Sequence, residues 1–248
     1  MRKNFGDCKI VMKKELTPRE WHKKYKKTMG WIGKMLCPAY FFGNEIPDET
    51  KFIVANHLQF FDPILYIAHM DSYMRFVTKK ETGKMPLISR WLKDLGAIPI
   101  DREKNGGDLV AVKAILRSIK NGDDIMIFPE GTRNKTGTTD IQPIKEGTAL
   151  FAVKTGAMVL PIMIYKKHKV FCRNYLYVGK PFDFKDFQGR KLDAETLAEA
   201  NDILFNKMVE AKAFMDAYMA DGGAKKLKKL YKEQKKIHKK RDFVIKID

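Results

Sequence analysis

The chain has 248 residues, of which 44% are hydrophobic and 31% are charged. This length and composition suit one substantial folded domain and exclude a disordered chain or an integral membrane bundle. The net charge of +18 is concentrated at the ends: residues 1–42 and 222–248 each carry 11 Lys and Arg against 3 acidic residues, whereas residues 43–221 carry 26 against 24. Basic ends bind polyanions, which makes nucleic acid and an anionic membrane surface the candidate partners.

The N-terminal residues 1–44 form a basic segment in which aromatic side chains from Trp21 to Phe42 alternate with lysines. This mixture is typical of a segment that lies in the lipid headgroup layer. The alternative is an amphipathic helix that packs on the core and exposes its lysines to water. The longest apolar run here, Met35–Phe42, is far shorter than the roughly 20 residues of a membrane-spanning helix.

We expect residues 45–221 to form the central domain and residues 222–248 a Lys-rich tail. From residue 224 to residue 241 the tail places Leu227, Leu230, Gln234 and Ile237 on one helical side, with lysines around the rest. This pattern is typical of an amphipathic segment at an anionic membrane. The alternative is a solvated or disordered lysine run. The three cysteines of the chain are too few for a disulfide framework and indicate a reducing compartment.

The central domain alternates short apolar runs with helical patterns. Strands are predicted at 51–55, 74–78, 97–100, 125–128, 158–164 and 170–178, and helices at 63–70, 86–95, 108–120, 147–154 and from Asp193 to about 220. Strands that alternate with helices predict an α/β fold with a central, mostly parallel or mixed sheet flanked by helices.

Polar clusters follow three of the predicted strands. They are Asn56-His57 with Asp62 after the first strand, Asp101-Arg102 after the third, and Glu130-Gly131-Thr132-Arg133 after the fourth. In α/β sheets, ligands bind beyond the carboxyl ends of the strands. These clusters are therefore expected to line a binding cleft.

His57 and Asp62 are five residues apart across a predicted strand-to-helix loop. If the loop curls back, the carboxylate can orient the imidazole, which leaves the second ring nitrogen as a general base. The sequence offers no serine nucleophile beside this pair, so the substrate's own hydroxyl would be the nucleophile. The alternative is that Asp62 only caps the helix that begins at Pro63.

Arg133 and Arg102 are candidates for binding a phosphate, because an arginine fork fits phosphate oxygens in a bidentate manner. The alternative for Arg133 is an exposed ion pair with Glu130, which would contribute little.

Four sequence blocks resemble, in order, those of the glycerolipid acyltransferase superfamily, most of all those of bacterial 1-acyl-sn-glycerol-3-phosphate (lysophosphatidic acid) acyltransferases. The resemblance covers about residues 45–185. The blocks are Asn56-His57-Leu-Gln-Phe-Phe-Asp62, Gly96-Ala-Ile-Pro-Ile-Asp101-Arg102, Phe128-Pro-Glu130-Gly131-Thr132-Arg133 and Val159-Leu-Pro161-Ile162. One departure is Gln59-Phe60-Phe61, where many relatives carry smaller or polar residues, and this could alter the pocket shape.

The resemblance implies an acyltransferase domain over residues 45–221 and a role for each matching residue. His57 would deprotonate the free hydroxyl of 1-acyl-sn-glycerol 3-phosphate, which attacks an acyl thioester to give phosphatidic acid, and Asp62 would orient His57. The acyl donor would be acyl-CoA or acyl-carrier protein, with no metal and no further cofactor. The residues that would place the substrate are Lys79, Arg102, Glu130, Gly131, Thr132 and Arg133.

An enzyme with a lysolipid substrate is expected to lie on the cytoplasmic face of the membrane, attached at the interface. Three alternatives stay open. The acceptor could be another lysophospholipid or an acyl-amino-lipid, the protein could be a basic nucleic-acid-binding protein, or it could be a non-catalytic membrane adaptor. No nucleic-acid motif occurs in the chain, so we expect no nucleic-acid partner.

Overall fold

A computed structural model describes residues 15–101, 108–145, 147–238 and 243–247. These described residues form an eight-stranded sheet with the strand order β4-β3-β5-β2-β6-β7-β1-β8. The strands are β1 (Ala39–Gly43), β2 (Lys51–Val54), β3 (Met74–Lys79), β4 (Ile98–Ile100), β5 (Asp124–Ile127), β6 (Met158–Ile164), β7 (Asn174–Val178) and β8 (Val244–Ile245).

The sheet is mixed, because it consists of two groups of parallel strands that run in opposite directions. Strands β4, β3, β5, β2 and β6 are parallel to one another, and β7, β1 and β8 form a second parallel group. The two groups meet where β6 pairs antiparallel with β7, with Met163 opposite Tyr177. The carboxyl ends of β4, β3, β5, β2 and β6 therefore share one edge of the sheet. The His57–Asp62 loop follows β2 at this edge, and the Glu130–Arg133 cluster follows β5.

In the part of the chain that the structure describes, seven α-helices flank the sheet: α1 (Pro18–Leu36), α2 (Asp62–His69), α3 (Pro86–Asp94), α4 (Leu109–Lys120), α5 (Thr148–Thr155), α6 (Ala194–Tyr218) and α7 (Ala224–Gln234). Short 3₁₀ turns at Lys80–Lys84 and Lys185–Phe187 join the elements that precede and follow them. The α/β fold expected from the sequence is confirmed.

Successive residues of each strand face opposite sides of the sheet, and each side has its own core. Phe52 and Val54 of β2 pack into the core that α4, α5, α6 and α7 cover. Ile53, between them, packs into the core on the other side, to which α2 contributes Leu65 and Ile67 and α1 contributes Tyr25 and Leu36. Helices α1 and α7, which carry much of the basic charge of the two ends, thus lie on opposite faces of the sheet.

Helix α1 begins with a capping box, in which the Thr17 hydroxyl accepts from the Glu20 backbone N–H and the Glu20 carboxylate accepts from that of Thr17. The helix packs on the domain through long-range contacts: the Tyr25 hydroxyl donates to Asp94 at 2.9 Å, and Lys26 pairs with Asp71 at 2.6 Å. Helix α1 therefore packs on the core, as the second interpretation of this segment predicts. Its opposite side is exposed.

The C-terminal segment also joins the core. Leu227 of α7 is fully buried, Leu230 and Tyr231 pack beside it, and the following residues return as β8, the edge strand next to β1. The Leu227 and Leu230 side of the amphipathic pattern therefore faces protein, whereas Ile237 is 82% exposed. In the described ranges, no helix has the length and apolar character required to cross a membrane.

The predicted elements of the central domain are found within a few residues of their expected bounds. Asp193 caps α6 as expected, accepting from the Thr196 backbone N–H at 3.1 Å. The strand predicted at 170–178 begins only at Asn174, because the preceding turn holds Phe171 at a φ of 61°. Strands β1 and β8 were not predicted.

Candidate active site

The site begins where β2 and β6 end side by side. Asn56, which is fully buried, donates from its side chain to the Ile164 carbonyl at 3.0 Å and accepts from the Ile164 backbone N–H at 2.7 Å. These two hydrogen bonds fix the end of β2 against the end of β6. They thereby set the starting point of the loop that carries His57.

His57 and Asp62 form the pair that the sequence predicts. His57 Nδ1 lies 2.9 Å from Asp62 Oδ2, and the Asp62 side chain is fully buried whereas that of His57 is 18% exposed. The same Oδ2 accepts from the backbone N–H groups of Leu58 and Gln59, each at 2.7 Å. The His57 ring also stacks on Phe128, with centroids 4.2 Å apart.

The capping alternative for Asp62 is wrong. Asp62 is the first residue of α2, the N-cap position is Phe61, and no side chain caps this helix. The Asp62 carboxylate points back to the preceding loop instead, where it holds His57. The local spacing therefore reflects orientation of the imidazole and not helix capping.

A second histidine contacts the same carboxylate. His168, in the loop between β6 and β7, places Nδ1 3.3 Å from Asp62 Oδ1. The sequence did not predict His168 as a site residue. The loop after β6 was nevertheless a candidate, because ligand sites in α/β sheets form beyond the carboxyl ends of the strands. Burial alone would raise the pKa of Asp62, but hydrogen bonds from His168, His57 and the Gln59 backbone outweigh it and lower the pKa below its usual value.

Glu130 differs from the expectation that it contacts the substrate. Its side chain is buried, and its two oxygens accept from the backbone N–H groups of His57 at 2.8 Å and Gln142 at 3.2 Å. Burial raises its pKa to about 7, although these two backbone bonds act in the opposite direction. Glu130 thus ties the His57 loop to a loop after β5 and does not line the cavity described next.

A cavity of about 420 Å³ opens beside His57. Part of its wall is polar or basic, and the rest is formed by apolar side chains from α2, β3, α3 and the loop after β5. The polar part consists of His57, Thr78, Lys79, Thr82, Gly131, Thr132 and Arg133. The apolar part includes Phe60, Phe61, Ile64, Phe76, Val77, Ile88, Trp91, Leu92 and Phe128.

The cavity brings together most of the residues that the sequence singles out. Lys79, Gly131, Thr132 and Arg133 line it together with His57. Arg133 lies over the Phe60 ring at 5.8 Å, and Gly131 has a φ of 68°, which lets the chain turn sharply after β5. Arg102 lies outside the described residues.

This arrangement brings three chemical features together at one edge of the sheet. The imidazole of His57 has one nitrogen held by a carboxylate and the other left to take a proton. Cationic side chains that line the same cavity, Lys79 and Arg133, suit a phosphate. The many apolar side chains of its wall suit a hydrocarbon chain, and its volume falls in the range of small-ligand sites.

Comparisons with known proteins find named acyltransferases among the relatives of this chain. The chain is 35% identical over 122 residues to the 1-acyl-sn-glycerol-3-phosphate acyltransferase of Helicobacter pylori, a match that covers 49% of this chain and 51% of that protein. The enzyme of the same name from Bacillus subtilis is 27% identical, over 69% of this chain and 86% of its own. In its matches to the Helicobacter pylori and Borreliella burgdorferi proteins, the chain spans about half of each relative's length.

The fold is also found in a solved structure. The crystal structure of the 1-acyl-sn-glycerophosphate acyltransferase PlsC from Thermotoga maritima matches with a TM-score of 0.55 and 24% identity, over 77% of this chain and 81% of that one. The sequence model of the acyltransferase family matches residues 42–165, which is half of the chain and includes His57, Asp62 and the Glu130–Arg133 block. The chain therefore belongs to the acyltransferase family.

Proposed function

We propose that this protein transfers a fatty acyl group from an acyl thioester to the free hydroxyl of 1-acyl-sn-glycerol 3-phosphate, which gives phosphatidic acid. The observation that carries the proposal is the His57–Asp62 pair, with His57 in the wall of a cavity that is lined mostly by apolar residues and also by Lys79 and Arg133. The names of the relatives in Helicobacter pylori and Bacillus subtilis support the choice of substrate.

The proposed reaction is a direct transfer between two bound substrates. Asp62 holds Nδ1 of His57, so Nε2 takes the proton of the acceptor hydroxyl as its oxygen attacks the thioester carbonyl carbon. The tetrahedral intermediate collapses with cleavage of the carbon–sulfur bond, and the proton passes from His57 to the departing thiolate. The donor is acyl-CoA or acyl-carrier protein, and the proposed steps require neither a metal nor another cofactor.

The basic side of the cavity would hold the phosphate of the acceptor. Arg133 offers a bidentate fork, and Lys79 and Thr132 line the same cavity. We retain Arg102 as a further phosphate ligand on the strength of the sequence block alone. Glu130 would support the phosphate-binding residues indirectly, because its carboxylate accepts from the backbone N–H groups of both His57 and Gln142 and so holds the His57 loop in place.

The proposal is tested by incubating the purified protein with lysophosphatidic acid in liposomes and either donor, and following phosphatidic acid. A parallel panel of other lysophospholipids and acyl-amino-lipids tests the acceptor. Faster turnover of another acceptor would move the proposal to that lipid. If a folded protein transfers no acyl group with any acceptor and donor, the result would favour a non-catalytic membrane adaptor. If it binds nucleic acid and not lipid, the result would favour a basic nucleic-acid-binding protein.

Arg133→Ala is expected to raise the KM for lysophosphatidic acid about tenfold or more and to change the KM for the acyl donor little, because one charge-assisted phosphate contact contributes about 1.5–3 kcal/mol. The measurement is steady-state kinetics with each substrate varied in turn. Lys135→Ala is the matched control, since Lys135 is an exposed cation two residues away that does not line the cavity. A selective rise in the donor KM would instead assign Arg133 to the phosphates of the acyl carrier.

We further propose that α1 docks the enzyme on the cytoplasmic face of an anionic membrane. Lys24, Lys27, Trp31 and Met35 recur at helical spacing and form one exposed stripe, in which Trp31 is 61% and Met35 is 50% exposed. Phe171, which is 70% exposed, adjoins the end of this helix, because its backbone N–H donates to the Leu36 carbonyl. Apolar side chains beside lysines suit the lipid headgroup layer.

The docking surface is tested by liposome co-sedimentation. Lys24→Glu/Lys27→Glu is expected to weaken binding to anionic vesicles at low salt by about tenfold or more and to leave binding to neutral vesicles unchanged, since each lysine near such a surface contributes about 1 kcal/mol. The matched control is Lys225→Glu/Lys229→Glu on α7, whose cations are also exposed but lie on the opposite face of the sheet. Substitution is preferable to truncation, because removing residues 224–248 would delete buried Leu227 and strand β8. An equal loss in the α7 variant would indicate that both basic ends dock.

A further inference from the structure

Asp62 is shared by two histidines that come from distant parts of the chain. His57 contacts Oδ2 at 2.9 Å from the adjacent loop, whereas His168 contacts Oδ1 at 3.3 Å from a loop 106 residues downstream. The His168 side chain is 8% exposed and that of Asp62 is fully buried. A donor to a buried carboxylate is costly to lose, because solvent cannot replace it.

The loop that carries His168 is held at several points. The Phe171 backbone N–H donates to the Leu36 carbonyl at 2.6 Å, at the end of α1. The Asn174 side chain accepts from the Lys169 backbone N–H at 3.3 Å and donates to the Cys172 carbonyl at 3.0 Å. These hydrogen bonds, at residues 169, 171 and 172, hold the loop segment that directly follows His168.

The two carboxylate oxygens of Asp62 serve different partners. Oδ2 accepts from His57 Nδ1 and from the backbone N–H groups of Leu58 and Gln59, whereas Oδ1 accepts from His168. A carboxylate held at both oxygens cannot rotate about its Cβ–Cγ bond without breaking a hydrogen bond. The rotation matters, because it would move Oδ2 away from His57.

We propose that His168 is a positioning residue for acyl transfer: by donating to Oδ1 it fixes the Asp62 carboxylate in the orientation that holds His57. This inference rests on the proposed function. His168 does not line the cavity beside His57. It lines a second cavity of about 380 Å³, whose wall also includes Tyr25, Leu36, Phe61, Ile64 and Val170. Its effect should therefore reach the reaction through Asp62 and appear in kcat.

The test compares His168→Asn with His168→Leu, two side chains of similar size of which only Asn offers an N–H donor near the position of Nδ1. His168→Leu is expected to lower kcat about 10-fold to 100-fold, with the KM of both substrates within about twofold of wild type. His168→Asn is expected to keep kcat within about threefold of wild type. If His168→Leu does not fold, as judged by circular dichroism, His168→Phe takes its place as the variant without a donor.

A second readout needs no substrate. The ¹⁵N resonances of the His57 ring report which nitrogen carries the proton. We expect protonated Nδ1 and unprotonated Nε2 in the wild type and in His168→Asn, and a mixture of the two tautomers in His168→Leu. This readout separates the two proposals: if the wild type forms no phosphatidic acid, the proposed function fails, and the positioning role is then decided by the tautomers alone.

Three results would overturn the inference. The first is a His168→Leu variant whose kcat equals that of the wild type. The second is an equal loss of kcat in His168→Leu and His168→Asn without a change in the His57 resonances, which would mean that the donor is not the cause. The third is a rise in KM at unchanged kcat, which would assign His168 to the wall of the second cavity.

Discussion

His57→Ala is expected to lower kcat by about 10²–10⁴-fold, the usual contribution of a positioned general base. The loss should fall on kcat more than on either KM, because the imidazole acts on the proton that moves in the transition state. Phosphatidic acid formation under saturating substrates is the measurement. The fold should persist, since His57 is partly exposed in a loop and its ring makes one stacking contact, with Phe128.

His238→Ala supplies the control for this variant. His238 is exposed beyond α7 and stacks on Phe243, far along the chain from the cavity. We expect it to retain wild-type turnover. A folded His57→Ala protein with near-normal turnover would eliminate His57 as the base.

Asp62→Asn is expected to lower kcat by about 10²–10⁴-fold as well, because a neutral amide cannot stabilise the imidazolium that forms when His57 takes the proton. The side-chain shape is preserved, and one amide oxygen can still accept from Leu58 and Gln59. Near-normal turnover in this variant would show that the carboxylate charge is not needed, and the orienting role of Asp62 would have to be abandoned.

The stability of Asp62→Asn provides a separate check. The pKa of Asp62 is lowered in the folded protein, since the hydrogen bonds from His168 and His57 outweigh the effect of burial. The ionised carboxylate therefore stabilises the fold fully above its unfolded-state pKa, and this contribution is lost as the pH falls through the lowered folded-state pKa. The difference in free energy of unfolding between wild type and Asp62→Asn should thus be constant at neutral pH and shrink only in acid, as measured by urea denaturation.

The parts of the structure that follow from local chemistry could be predicted from the sequence. The apolar run after Lys51 forms the buried strand β2, which ends at Val54, and the five-residue spacing from His57 to Asp62 closes one loop. Asp193 caps α6 through a residue only three positions away. Each of these features is decided by side chains that are near in sequence.

The features that the sequence did not predict depend on distant partners. Glu130 could have pointed into the cavity, but its carboxylate is turned inward by the backbone N–H of His57, 73 residues away. His168 meets Asp62 only because β6 ends beside β2. The apolar side of α7 fits a membrane and a protein core equally well, and only the packed sheet decides that Leu227 is buried.

The most direct test of the proposed acyl transfer is a product analysis with two labels, one on the acyl group of the thioester and one on the phosphate of lysophosphatidic acid. If the protein transfers the acyl group to the lipid hydroxyl, both labels will appear in equal amounts in phosphatidic acid, with one thiol released for each molecule formed, and His57→Ala will form almost none. Consumption of the thioester with the acyl label recovered as free fatty acid, and none in phosphatidic acid, would contradict it, because His57 would then activate water in place of the lipid hydroxyl.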